Sequence, residues 1–156
     1  MFIDVQNQVW SSTALTATAL STYSIDCNAV PYTTGTSNGA KNDIGTGEPM
    51  AFVMTVPVAA DFTTGDETYK FDIVTATDAA LATSLTTIAS YTLLTTLLTA
   101  GAVIILPVPA GAVVQRYIGL KATLAGTTPT VTVSAFLEPL SMIQKQAYYT
   151  SAIVVN

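Results

Sequence analysis

The sequence holds no histidine, one cysteine, one tryptophan, and only five basic and ten acidic residues in 156. Each shortage excludes something. Without histidine the commonest general acid–base is missing, and with it the usual Ser-His-Asp and Cys-His arrangements. A single cysteine forms no intrachain disulfide and cannot by itself hold zinc. The basic residues Lys41, Lys70, Arg116, Lys121 and Lys145 are scattered singly in a chain of net charge −5. Nucleic acid is therefore not an expected partner, because it demands clustered Lys and Arg. A basic amphipathic membrane anchor is excluded for the same reason. No catalytic, cofactor or metal residue is assigned, and an enzyme is not expected. The opening Met-Phe-Ile-Asp lacks the basic region and apolar core of a secretory leader, so synthesis in the cytoplasm is expected.

Charge is scarcest between Ala79 and Gln115, where no charged residue occurs. A membrane helix needs about 20 consecutive apolar residues. Here Thr and Ser interrupt the run up to Thr99, and Pro107 and Pro109 break its most apolar part. Buried strands are the expected reading. Half of all residues are hydrophobic and 10% are charged, against roughly 25% charged in ordinary soluble domains. Such a surface suits a protein covered by neighbours.

What the chain has in quantity is threonine with valine and isoleucine, the β-branched types that favour strands. Period-two alternation places Tyr69, Phe71 and Ile73 on one side and Lys70 and Asp72 on the other. It recurs in Ile118, Leu120, Ala122 and Leu124, and again in Val131, Val133, Ala135 and Leu137. Each predicts a strand with one buried and one wet face. Further strands are predicted at Tyr23–Cys27, Met50–Val56, Ile88–Leu94 and Ala102–Val108, with turns rich in Gly and Pro between them. Asp78–Leu85 permits a short helix. The pattern is that of one all-β domain, an antiparallel sandwich or barrel, and 156 residues suffice for its core.

Three features imitate functional motifs. Gly45-Thr46-Gly47-Glu48-Pro49 suggests a phosphate loop but lacks the Lys-Ser/Thr pair and precedes a strand. Asp61-Phe62-Thr63-Thr64-Gly65-Asp66-Glu67 carries three carboxylates without EF-hand spacing, so a solvated hairpin loop is expected. Cys27 shares the parity of Tyr23 and Ile25 and reads as a small buried hydrophobe.

Several segments in serial order resemble the capsid cement, or decoration, proteins of short-tailed bacteriophages. They are Gln8-Val9-Trp10-Ser11, Ala14–Ala19, Ser21–Asp26, Asp43–Met50 leading into Phe52–Val56, Thr75–Leu81, Gly101–Gly111, Arg116–Leu120 and Val131–Leu137. The resemblance implies a jelly-roll β-sandwich on the outer surface of an icosahedral virion. There it would bind the major capsid protein, lock its copies together, and associate with itself, as a dimer rather than a trimer. The domain expected is residues 19–138, flanked by an N-terminal arm over 1–18 and a C-terminal tail or edge strand over 139–156. The segment Ala29–Ala40 departs from the family pattern as an inserted loop. Candidate partner contacts are Phe2, Ile3, Val9 and Trp10 in the arm and Tyr148, Tyr149 and Ile153 in the tail, because Trp and Tyr concentrate at interface hot spots. For Trp10 the alternative is a place in its own core. A carbohydrate- or receptor-binding jelly roll is the other function in view.

Overall fold

A computed structural model describes residues 7–27, 48–113 and 115–147. In chain order come β1 (Gln8–Leu15), β2 (Ala19–Leu20), β3 (Ile25–Asp26), β4 (Met50–Val58), β5 (Thr68–Ala76) and β6 (Thr86–Leu93). Then follow β7 (Val103–Pro107), β8 (Tyr117–Ala125), β9 (Val131–Pro139) and the α-helix α1 (Leu140–Ala147), with a 3-10 turn at Thr95–Leu97 ahead of β7. Strand pairing is antiparallel throughout and nested, the first strand with the last. β1 lies beside β9, β2 and β3 beside β8, β4 beside β7, and β5 beside β6. The β4–β9 and β5–β8 ladders join these pairs into two sheets, ordered β1-β9-β4-β7 and β2-β8-β5-β6, with β3 also on β8. That order is a jelly roll, two Greek keys wrapped into a sandwich. The fold class implied by the family resemblance is the one observed.

The core follows from parity. Phe52, Met54 and Val56 of β4, with Val131, Val133, Ala135 and Leu137 of β9, meet Tyr69, Phe71 and Ile73 of β5 and Ile118, Leu120 and Ala122 of β8. Side chains alternate across a strand, so each keeps one face for this layer. Fully burying one such side chain is worth roughly 1.5–3 kcal/mol. Tyr69 is the exception that reaches a polar group, donating its hydroxyl to the Asp61 carbonyl at 2.7 Å.

The outer faces are less wet than alternation alone predicts. On the first sheet, Leu140 and Ile143 of α1 cover Ala51, Val53 and Phe136. The helix starts where the Leu140 N–H bonds the Pro49 carbonyl at 2.7 Å. On the second sheet, Leu81 covers Val74 and Ala76, with Leu20 and Tyr117 around it. Leu81 sits at φ 57° inside a loop, not a helix. The Asp78 carboxylate caps that loop by accepting from the N–H of Thr83 at 2.6 Å and of Ala82 at 3.3 Å. The left-handed Leu81 ends any helix that Asp78–Leu85 permits.

Two boundary expectations change. The arm expected over 1–18 is not an arm where it is described, because Gln8–Leu15 is an edge strand hydrogen-bonded to β9. The tail expected from 139 onwards opens with the helix α1 instead of an edge strand. The loop Ala29–Ala40 and residues 45–47 lie outside the described residues.

Packing on the second sheet generates a test. A Cβ on Gly119 would lie 2.6 Å from both Leu81 Cδ1 and Ser21 Oγ. Gly119→Ala should therefore destabilise by about 1–3 kcal/mol, read as a lower urea midpoint at unchanged slope. Trp10→Ala, which empties a fully buried site, should cost about 3–5 kcal/mol.

Candidate contact surface

Of the seven candidate contact residues, Phe2, Ile3, Tyr148, Tyr149 and Ile153 lie outside the described residues. The other two are not on the surface. Val9 and Trp10 are both 0% exposed, and Trp10 packs edge-on against Phe71 across the sandwich, centroids 6.3 Å apart. A register shift between Gln8 and Trp10 turns two consecutive side chains inward. Among the described residues, the site named from sequence is thus replaced by a core position, and Trp10 takes its alternative role.

Large apolar side chains do reach solvent elsewhere. The jelly roll has two ends, and one carries the loops 59–67, 94–102 and 126–130. They are tied together by backbone bonds, Asp61 N–H to the Thr130 carbonyl at 2.8 Å and Ala60 N–H to the Leu98 carbonyl at 2.9 Å. Val58, Phe62, Leu94 and Leu97 are exposed there, Leu94 by 69%. Val103 (61%) and Ile105 (41%) continue this apolar surface along β7, the edge strand of the first sheet. The strand expected at Ala102–Val108 is therefore present but only half buried. Lack of charge in this stretch reflects exposed apolar surface as much as core, which is why sequence reasoning missed it. The readable signal was the 79–115 gap in charge itself.

The three carboxylates of the same end are engaged internally. Asp66 accepts from Thr64 Oγ1 at 2.6 Å, Thr127 N–H at 3.1 Å and Thr127 Oγ1 at 3.0 Å. These bonds, Thr64 first, hold its carboxyl below the usual range. Glu67 is buried and accepts from the Thr64 hydroxyl, from Thr64 N–H at 3.2 Å and from Gly65 N–H at 2.9 Å. Its carboxyl is likewise lowered, chiefly by Thr64. Asp61 accepts from Thr63 N–H at 3.1 Å. The loop is not the expected hairpin, because it crosses from β4 in one sheet to β5 in the other. Its acids are spent on its own backbone and hydroxyls and on Thr127, and among the described residues no three His, Cys, Asp or Glu side chains converge as a metal set.

Charges on the flanks are paired too. Arg116 grips Asp26 with two nitrogens, Nη2 to Oδ2 at 2.7 Å and Nε to Oδ1 at 3.0 Å, and lies 5.0 Å over the Tyr117 ring. Asp72, 3% exposed, takes Ser90 Oγ at 2.6 Å and Lys70 Nζ at 3.2 Å. Cys27 is buried as expected, its thiol pushed up to about 11, chiefly by desolvation. Thiolate chemistry is thereby suppressed. What remains available at the loop end and along β7 is shape and apolar area.

Residues 9–137 match the family model Bbp16. No curated protein matches the chain.

The loop carboxylates and Glu138 titrate in opposite senses. Asp66 and Glu67 are lowered from 3.8 and 4.5, so their bonds stabilise fully above those values and are lost as pH falls through the lower folded ones. Burial raises Glu138 above 4.5, so its contribution is present below 4.5 and is lost as pH rises through the raised value. Thr64→Val should lower the urea midpoint at pH 7, and the loss should shrink progressively as the pH is taken below 3.8. Glu138→Gln should raise it at pH 7 and do little at pH 4.

Proposed function

The chain belongs to the Bbp16 family, and we propose that it is a non-enzymatic virion structural protein of the capsid cement class. In this reading it is made in the cytoplasm of a bacterial host and binds the outer surface of an icosahedral capsid. There it stabilises contacts between copies of the major capsid protein. One observation carries the reading: a jelly roll whose loop carboxylates Asp61, Asp66 and Glu67 are engaged in internal bonds exposes Val58, Phe62, Leu94 and Leu97 on the loops of one end.

Physical requirements of the role match that surface. A shell under internal pressure is held by many modest contacts, each strengthened by the symmetry of the lattice. Exposed apolar side chains on loops fixed by hydrogen bonds lose little freedom on docking, which raises the yield of each contact. Long-range electrostatics contribute less, because few charges are present to steer or to be screened.

A carbohydrate- or receptor-binding jelly roll draws less support. Its usual platform is an exposed aromatic cluster, whereas Trp10 is buried. Among the described residues, Tyr23 and Phe62 are exposed but belong to different elements, one between β2 and β3 and the other in the β4–β5 loop. A glycan array separates the two functions, since saturable sugar binding is foreign to a cement protein.

Expanded heads lacking the protein should bind the purified chain in fixed stoichiometry and survive to a higher temperature with it than without it. Phe62→Asp combined with Leu97→Asp should reduce that binding at least about tenfold, since each truncated anchor of this kind removes about 1–2 kcal/mol, while leaving the free energy of unfolding within about 0.5 kcal/mol of the parent. Heads equally robust without the protein, and unable to rebind it, would overturn the reading.

A further inference from the structure

The loop end of the sandwich joins an apolar surface to fixed negative charge. Loops 59–67, 94–102 and 126–130 hold three acids, Asp61, Asp66 and Glu67, and neither Lys nor Arg. The nearest cation in the sequence, Lys70, is engaged with Asp72 at 3.2 Å. Donors to the three acids are neutral throughout. They are the N–H groups of Thr63, Thr64, Gly65 and Thr127 and the hydroxyls of Thr63, Thr64 and Thr127. Such bonds satisfy the oxygens of a carboxylate, yet they bring no opposite charge. Three formal negative charges therefore stay beside Val58, Phe62, Leu94 and Leu97.

Asp61 is the best placed of the three. Its N–H bonds the Thr130 carbonyl at 2.8 Å, and its own carbonyl accepts the Tyr69 hydroxyl at 2.7 Å. The preceding Ala60 N–H bonds the Leu98 carbonyl at 2.9 Å. Asp61 is thus pinned where the three loops meet, with the exposed Phe62 next in the chain. Among the described residues its carboxylate accepts only through Oδ1, from Thr63. Oδ2 is left for another donor. Asp66, exposed on the same loop, is held by Thr127. Groups fixed in this way lose little freedom when a partner docks.

We propose that the surface docking on this end is a protein surface that is apolar at its centre, against Phe62, Leu94 and Leu97, and basic where it faces Asp61 and Asp66. Sign decides among the occupants. An apolar cover strips water from an ionised carboxylate and gives nothing back, and an acidic one adds repulsion. A cation avoids both costs, through short charge-assisted bonds. Nucleic acid and anionic lipid carry the wrong sign. A second copy docked through the same end would set three acids against three. Arginine suits the place best, because a guanidinium stacks on a ring such as Phe62 while its fork reaches the neighbouring carboxylate. That the partner is the major capsid protein rests on the cement reading; that its facing surface is basic rests on the acids of this end. Such pairs act at contact distance and need no long-range steering.

Binding of the full chain to expanded heads that lack it tests the sign. Raising the salt from about 50 mM to about 500 mM should raise the dissociation constant at least about fivefold. Asp61→Asn should weaken binding at the lower salt by about fivefold, and its affinity should vary less with salt than the parent's. Asparagine keeps an oxygen for Thr63, and the salt series on the unmodified chain still gives a reading should the variant not fold. Tighter binding by Asp61→Asn would overturn the basic partner, and so would an affinity that salt leaves unchanged or strengthens. Binding abolished by a chelator would do the same, by giving the carboxylates to a metal ion. Each of those results leaves the cement reading in place, whereas heads that bind the chain at neither salt would overturn both.

Discussion

Two sheets can share one core only where their strands hold a constant parity, and the ladder between β5 and β8 meets that condition over the longest run. It keeps register from Thr68 opposite Ala125 to Ala76 opposite Tyr117 without a shift. Tyr69, Phe71 and Ile73 thereby stand opposite Leu124, Ala122 and Leu120, all facing inward. A slip of one residue would turn that whole set to solvent. The second sheet is fixed by what this one presents. Trp10, the largest buried side chain of the opposite sheet, meets Phe71 edge-on.

The same ladder explains how the exterior is arranged. Its outward residues at one end are Val74 and Ala76, which are apolar and need cover. Leu81 supplies that cover, and Gly119 leaves the space for it. Fixing Leu81 in a left-handed conformation requires the Asp78 cap and the bond from Gln115 Nε2 to the Ser84 carbonyl at 2.8 Å. At the other end of the ladder, Asp66 ties the β4–β5 loop to Thr127 in the β8–β9 loop. Both ends of the sandwich are therefore cross-braced by side chains bonded to backbone. Regular strands and hydrogen-bonded loops together hold the two sheets in one sandwich.

Regularity decided what could be read from the sequence. The strands β5, β8 and β9 have strict alternation, and Tyr69, Ile118 and Val133 fell where that pattern placed them. β1 was missed as part of the sandwich because its bulge puts Val9 and Trp10 inward in succession, which erases the period of two. Trp10 then passed for an interface residue, since composition cannot tell a buried anchor from an exposed one. β7 failed in the opposite direction. Val103 and Ile105 look like core, and only the strand order shows that nothing described lies beside them. The helix α1 left a faint trace, Leu140 and Ile143 at a spacing of three, too short to stand out from the apolar tail. Local pattern reports secondary structure well and says little about which strands end a sheet.

The chain enters the sandwich at Gln8, beside Phe136, while Leu15 and Val131 mark the opposite end. Phe62 and Leu97 belong to the loops of that opposite end. Polarity of this kind matters to anyone who would use the fold as a carrier. A foreign domain or epitope joined ahead of β1 starts from the end remote from Phe62 and Leu97, so those loops and the cargo can face opposite ways. The length of the sandwich then separates the start of β1 from the exposed Phe62 and Leu97.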